Sequence, residues 1–221
     1  MPLLTTINPW PKASVYLWDI SESEEELLAL SALSVRSRER LDSMKSPVHR
    51  KGFLSVRALL NRAGLSDKDL YYNSFGKPFL HQGGQISITH SHARSAIIVA
   101  PYNVGIDIEL RRQKILRIAH KFCGGISPEL NGLVSSAIDQ YTHVWTAKES
   151  IYKMASIPGL GFLSDIALSD WRPESKASSY ILAKGEITQA KTALFDYKGF
   201  ALGDYICGMT KDRTTGTDHE E

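Results

Sequence analysis

Three carboxylates stand out by type and spacing. Asp107 and Glu109 alternate with Ile106, Ile108 and Leu110 in the stretch VGIDIEL, residues 104–110. Successive side chains of a strand point to opposite faces, so the two acids share one face and the apolar residues the other. Neighbouring carboxylates repel, and a divalent cation would turn that repulsion into a binding site. Glu149, in AIDQYTHVWTAKESIYKMAS (137–156), supplies a third oxygen ligand. Such a hard-oxygen set suits Mg²⁺, which shares its shell with water and phosphate oxygens. Spacing alone weighs this evenly against an edge strand whose acids simply face water.

Other residues could meet phosphate. Along helix 137–156, Val144, Trp145, Ile151, Tyr152 and Ala155 form an apolar stripe, and Lys148 projects within it. A lysine there either snorkels to water or meets an anion. Lys153 lies one turn beyond Glu149; taken alone, the pair is ordinary i,i+4 support. FGKPFL (75–80) puts Lys77 and Pro78 in a turn from which an ammonium can reach phosphate, although an exposed hairpin lysine is the commoner case. ISITHSHA (86–93) places Thr89, His90 and Ser91 at a strand end, where hydroxyls and imidazole can bond phosphate oxygens. His92, His120 and His143 read as structural. From Arg36 to Arg62 there are eight basic residues against Glu39 and Asp42. That block is either a solvated helical face or the wall of a phosphate site.

The elements that must position these groups alternate in blocks. A strand is expected at 14–20, helices from Ser21 and Ser34, and a helix over 46–64 with Ser46 as cap, Pro47 in its first turn and Gly64 at its end. Strands follow at 85–90, 95–100 and 104–110, then a helical region through 156. Strand-like pieces occupy 162–168, 179–188 and 191–209, and the polar tail 211–221 reads as frayed. Blocks of this kind argue an α+β fold over a doubly wound sheet.

The chain has 221 residues, 43% of them hydrophobic, enough for a real core. A net charge of +2 does not mark a nucleic-acid binder. Cys123 and Cys207 form no CxxC pair and fit a reducing compartment. With no apolar run of about 20 residues and no basic, apolar leader, a soluble cytoplasmic protein without membrane partners is expected. HExxH, a Gly-rich P-loop, GxSxG and zinc-ligand spacings are not found.

Taken together, FGKPFL, SITHSHA, GIDIE and WTAKESIYK resemble, in order and spacing, the 4′-phosphopantetheinyl transferases of the larger, surfactin-synthetase-activator type. The match spans roughly residues 36–153. The resemblance implies two similar α+β halves related by a pseudo-twofold: residues 1–103 with the nucleotide-binding residues, and 104–210 with the metal site. It implies transfer of 4′-phosphopantetheine from coenzyme A to a serine of an apo acyl or peptidyl carrier protein, releasing adenosine 3′,5′-bisphosphate. Such carriers serve fatty acid, polyketide or nonribosomal peptide biosynthesis.

By the same resemblance, Asp107, Glu109 and Glu149 hold Mg²⁺, or Mn²⁺, against the pyrophosphate. Lys153 binds a phosphate oxygen of coenzyme A and stabilises charge as the bond breaks, Glu149 takes the serine proton, and Asp107 completes the catalytic set. Arg38, Arg50, Lys77, Pro78, Thr89, His90 and Lys148 bind coenzyme A, with His90 near the 3′-phosphate. Carriers dock at 111–136, and the site is built within one chain, as a monomer. Thr89 stands where the family more often has serine. Two other readings are a catalytically idle homologue that binds coenzyme A or a carrier, and an unrelated Mg²⁺-dependent phosphate-ester hydrolase.

Overall fold

Two long helices and the sheets they cover organise this protein. The computed structural model describes residues 3–188 and 194–213. Contacts divide the chain into two compact units, Met1–Pro101 and Tyr102–Glu221. No helix among the described residues is long and apolar enough to cross a membrane.

In the first unit the chain runs through β1 (Leu3–Ile7), β2 (Ser14–Asp19), α1 (Glu24–Leu30), α2 (Val35–Ser43), α3 (Pro47–Arg62), β3 (Leu70–Tyr72), β4 (Pro78–Leu80), β5 (Gln85–Ser91) and β6 (Arg94–Ala100). The strands form an antiparallel sheet in the order β1-β2-β6-β5-β4-β3. Helix α3 forms where its caps predict. The Ser46 hydroxyl accepts from the His49 amide, Pro47 occupies the first turn, and Gly64 follows at φ +74°. Phe53, Val56, Leu59 and Leu60 bury against Trp18, Leu27, Leu41, Ile86 and Ile97. Helix α1 begins after a capping box at Ser23, where Ser23 and Glu26 satisfy each other's backbone amides, two residues later than Ser21 suggested.

The second unit comprises β7 (Val104–Leu110), α4 (Lys114–Ile118), a 3₁₀ turn (Ala119–Lys121), α5 (Pro128–Leu133), α6 (Ala137–Ala155), β8 (Ile166–Pro173), β9 (Ile181–Ile187), β10 (Leu194–Leu202) and β11 (Tyr205–Asp212). Its antiparallel sheet has the order β7-β11-β10-β9-β8. Two expectations are revised. The strand-like run 191–209 is a hairpin, β10 and β11, turning at Gly203 with φ +56°. Residues 191–193 lie outside the described residues. The expected strand at 162–168 begins only at Ile166, because Gly161–Asp165 close a turn through the Gly161 amide and the Asp165 carboxylate, 2.7 Å apart. Of the tail at 211–221, Lys211 and Asp212 belong to β11, and 214–221 lie outside the described residues.

The α+β class holds, with two antiparallel sheets and covering helices. The sheets differ in strand number and order.

Candidate active site

In the second unit, β7 and α6 meet backbone to backbone. A Cβ added to Gly105 would lie 1.9 Å from the Ser150 carbonyl oxygen, so only glycine permits this approach. Asp107 and Glu109 share the Gly105 face by alternation and therefore look onto α6. Although β7 is an edge strand, Asp107 does not face water: it is 3% exposed.

Helix α6 presents Trp145, Glu149 and Lys153 to this face at i, i+4 and i+8. The Lys153 ammonium lies 2.7 Å from Asp107 Oδ1 and donates to the Ile106 carbonyl at 3.3 Å. The Trp145 indole N–H donates to Glu109 Oε1 at 3.3 Å. Glu149 is pushed up to about 7, first by burial, then by the charge on Asp107; Lys153 offsets part of this and Glu109 adds to it. The three carboxylates therefore feel one another. As they stand, no group of three or more His, Cys, Asp or Glu side chains among the described residues is arranged to hold a metal ion. Asp107, Glu109 and Glu149, expected to share one metal with water and phosphate oxygens, come into one neighbourhood without forming such a group by themselves. An internal cation, Lys153, sits on Asp107 instead. The donor chemistry still suits a hard cation: oxygen ligands, mutual repulsion and a neighbour that already prefers positive charge.

Lys148 belongs elsewhere. It is 6% exposed, and its ammonium donates to the carbonyls of Phe162 at 2.5 Å and Ile166 at 2.7 Å. Burial lowers its pKa. The lysine that seemed misplaced in an apolar stripe clamps the loop leading into β8, and its partner is backbone rather than an anion. His143 is structural, as its isolation suggested. Its Nδ1 lies 3.2 Å from the buried Tyr197 hydroxyl, and burial lowers its pKa to about 4, with help from Arg111.

Beside Glu109 a cleft of about 210 Å³ opens between α4 and α6. Ile115, Ile118 and Trp145 give it apolar walls, and the exposed Arg112 and Lys114 add positive charge.

In the first unit, the Asn73 carboxamide accepts from the amides of Phe75 at 3.0 Å and Lys77 at 2.9 Å, with Gly76 at φ +82°. This closes the β3–β4 turn and leads Pro78 into β4. The Lys77 ammonium lies 5.6 Å from the Phe79 ring centroid. Thr89 and His90 do not share a face. Thr89 is 5% exposed, whereas His90 lies on the α3 side of β5, beside Gly52.

The basic block divides. The Arg50 guanidinium donates to Glu24 at 2.6–2.9 Å and to the carbonyls of Leu41 at 2.5 Å and Met44 at 3.2 Å. It ties α3 to α1 and α2, where a phosphate contact was expected. Arg57 is buried, 3.1 Å from Asp67 and stacked 3.6 Å over Phe53. Burial works to raise the Asp67 carboxyl, but hydrogen bonds from Ser34 and Ser37 and the Arg57 charge bring it below its usual range. Lys51 donates to the Glu22 carbonyl at 2.5 Å. Arg38 is exposed on α2. Sequence reasoning passes over Glu24 and Asp67, whose partners lie 26 and 10 residues away.

Residues 103–210 match the family model of the 4′-phosphopantetheinyl transferase superfamily. No curated protein matches the chain. The superfamily match runs from the start of β7 into β11 and so contains Asp107, Glu109, Glu149, Lys153 and the α4–α6 cleft. Phosphopantetheine transfer in general is the chemistry this superfamily match suggests.

Proposed function

We propose that this protein moves 4′-phosphopantetheine from coenzyme A to a serine of an apo carrier protein in a Mg²⁺-dependent reaction. The observation that carries the reading is the meeting of Asp107 and Glu109 on β7 with Glu149 and Lys153 on α6, inside the region matched to the superfamily.

In the reaction, the serine oxygen bonds to the phosphorus of the pantetheine phosphate. The bond from that phosphorus to the bridging pyrophosphate oxygen breaks, and adenosine 3′,5′-bisphosphate departs. Glu149, held at about 7, accepts the serine proton near neutral pH. Asp107, Glu109 and Glu149 would hold Mg²⁺, which supplies charge neutralisation at the pyrophosphate when bound. Lys153, already partnered by Asp107, adds positive charge on the same face. Trp145 orients Glu109 through its indole N–H. Lys148 positions the loop before β8 and is assigned no phosphate. In the first unit, Lys77 and His90 take the nucleotide end of coenzyme A. Thr89 and Arg38 are lesser candidates, and Arg50 reaches phosphate only by leaving Glu24.

The carrier docks on the segment 111–136. Its first part, through Lys121, carries Arg111, Arg112, Lys114, Arg117 and Lys121 with no acid, which suits an acidic partner.

Intact-mass spectrometry of an apo acyl carrier protein incubated with this protein, coenzyme A and Mg²⁺ tests the reading, beside a chelator control. The expected result is a mass gain of one phosphopantetheine, lost with chelator. Coenzyme A binding without a gain on any carrier type points to the idle homologue, and free pantetheine phosphate points to the hydrolase.

A further inference from the structure

Gly199 on β10 and Gly208 on β11 lie directly opposite each other, and Gly208 is in turn opposite Asp107 on β7. Directly opposite residues share a face, so both glycines lie on the α6 side of the sheet. The ring of Tyr197 fills the trough they leave. A Cβ at Gly199 would come within 2.6 Å of its Cζ, and one at Gly208 within 2.7 Å of its Cε2. Tyr197 is fully buried, and its hydroxyl reaches α6 at two places: Thr146 Oγ1 at 3.0 Å and His143 Nδ1 at 3.2 Å. Thr146 also sits over Gly208, its Oγ1 2.8 Å from where a Cβ would stand. Four residues on, the Ser150 carbonyl covers Gly105 in the same way.

We infer that Tyr197 is a positioning residue for the transfer site: its hydroxyl, bonded to Thr146, sets α6 on the sheet so that Glu149 and Lys153 come to Asp107. The inference rests on the reading of the second unit as the site of phosphopantetheine transfer. Apolar contact is non-directional and holds a helix on a sheet without choosing its rotation. A buried hydrogen bond is directional and, once satisfied, favours one arrangement. Gly105 and Gly208 let the helix come close beside Asp107, and the hydroxyl then selects its angle. Glu149 and Lys153 follow Thr146 at i+3 and i+7, on the same side of the helix, so a rotation at Thr146 is carried to both. The contact of 2.7 Å between Lys153 and Asp107 leaves little slack for such a rotation. Tyr197 acts only through α6.

Initial rates of transfer, read by intact mass on a carrier that the wild type modifies, test this at a temperature well below each variant's melting point. Tyr197→Phe keeps the ring and loses the hydroxyl. Its kcat should fall by about tenfold or more, toward the roughly 100-fold that a displacement of about 1 Å can cost, while the KM for coenzyme A stays within about threefold. Thr146→Val removes the other end of the bond and should be slowed in the same way. Thr146→Ser keeps a hydroxyl and should recover most of that loss. Combining Tyr197→Phe with Thr146→Val should slow transfer no further than the slower single variant, because both remove one bond. A wild type that modifies no carrier overturns the transferase reading together with the inference. Folded variants with the wild-type kcat overturn the inference alone. So does a double variant in which the two losses multiply, which marks independent damage to packing. Should Tyr197→Phe not fold, the contrast between Thr146→Val and Thr146→Ser decides: equal rates overturn the inference.

Discussion

Lys153 and Asp107 form an ion pair across the β7–α6 contact, with the ammonium 2.7 Å from Oδ1, the lysine side chain 29% exposed and the carboxylate 5%. One end of the pair reaches solvent and the other is sealed beneath the helix. A buried carboxylate is costly unless a cation accompanies it. Lys153 meets that need, and the remaining acids on this face, Glu109 and Glu149, crowd the same neighbourhood.

Removing either central acid should stop the reaction and spare the fold. In Asp107→Ala the released lysine can turn to water. In Glu149→Gln a group already inclined to be neutral stays neutral. Transfer followed by intact mass should fall by at least about 100-fold in each, the scale of losing one preorganised electrostatic group. Circular dichroism should be unchanged. Normal turnover by either pure variant would exclude the metal-site reading.

Glu149 ties stability to pH with a definite sign. Its folded value of about 7 lies above the ordinary 4.5, so the folded state holds the proton more tightly. As pH rises from 4.5 to 7 the unfolded chain ionises first, and stability falls by up to about 3 kcal/mol. In Glu149→Gln this loss disappears, which urea midpoints at pH 5 and pH 8 would report. If the carboxylates hold Mg²⁺, the cation should stabilise the protein most above pH 7, and a chelator should reverse the gain. A variant whose pH profile matches the wild type would refute the shift.

His143 works in the opposite direction. Its pKa is lowered to about 4 from 6.5 by burial and by Arg111, so the unfolded chain takes up the proton first as pH falls. Stability is lost from pH 6.5 down to 4, again by up to about 3 kcal/mol. His143→Gln should remove that acid-side loss, leaving the fall toward pH 7 from Glu149 exposed. The two slopes partly cancel in the wild type, so the comparison must be made between variants.

Lys148 should matter for the fold rather than for substrate. Lys148→Met leaves the Phe162 and Ile166 carbonyls without their donor, at a cost of about 1–3 kcal/mol. Thermal melting should drop while the KM for coenzyme A stays constant at temperatures where the variant is folded. A raised KM with unchanged melting would restore Lys148 to the binding site.

Much of this was legible from local pattern. Ser46, Pro47 and the spacing of Phe53, Val56, Leu59 and Leu60 announced α3, because caps and periodicity act within a few residues. Alternation in VGIDIEL put Asp107 and Glu109 on one face, because strand geometry leaves no other choice. The hairpin within 191–209 was less legible, since Gly203–Asp204 interrupts a run that is apolar on both sides. Gly52 gave no signal, since its meaning lies in a ring from β5.

What the sequence by itself determined was which side chains share a face, where the long helices start, and that three carboxylates and a lysine belong to β7 and α6. Only the tertiary structure decided what each charge meets. Arg50 chose Glu24, Arg57 chose Asp67, Lys148 chose two carbonyls and Lys153 chose Asp107. The reason is physical. A side chain's direction follows from backbone geometry within one turn or one pleat. Its partner is whichever opposite charge or carbonyl the packing carries beside it, here from 10 to 46 residues away.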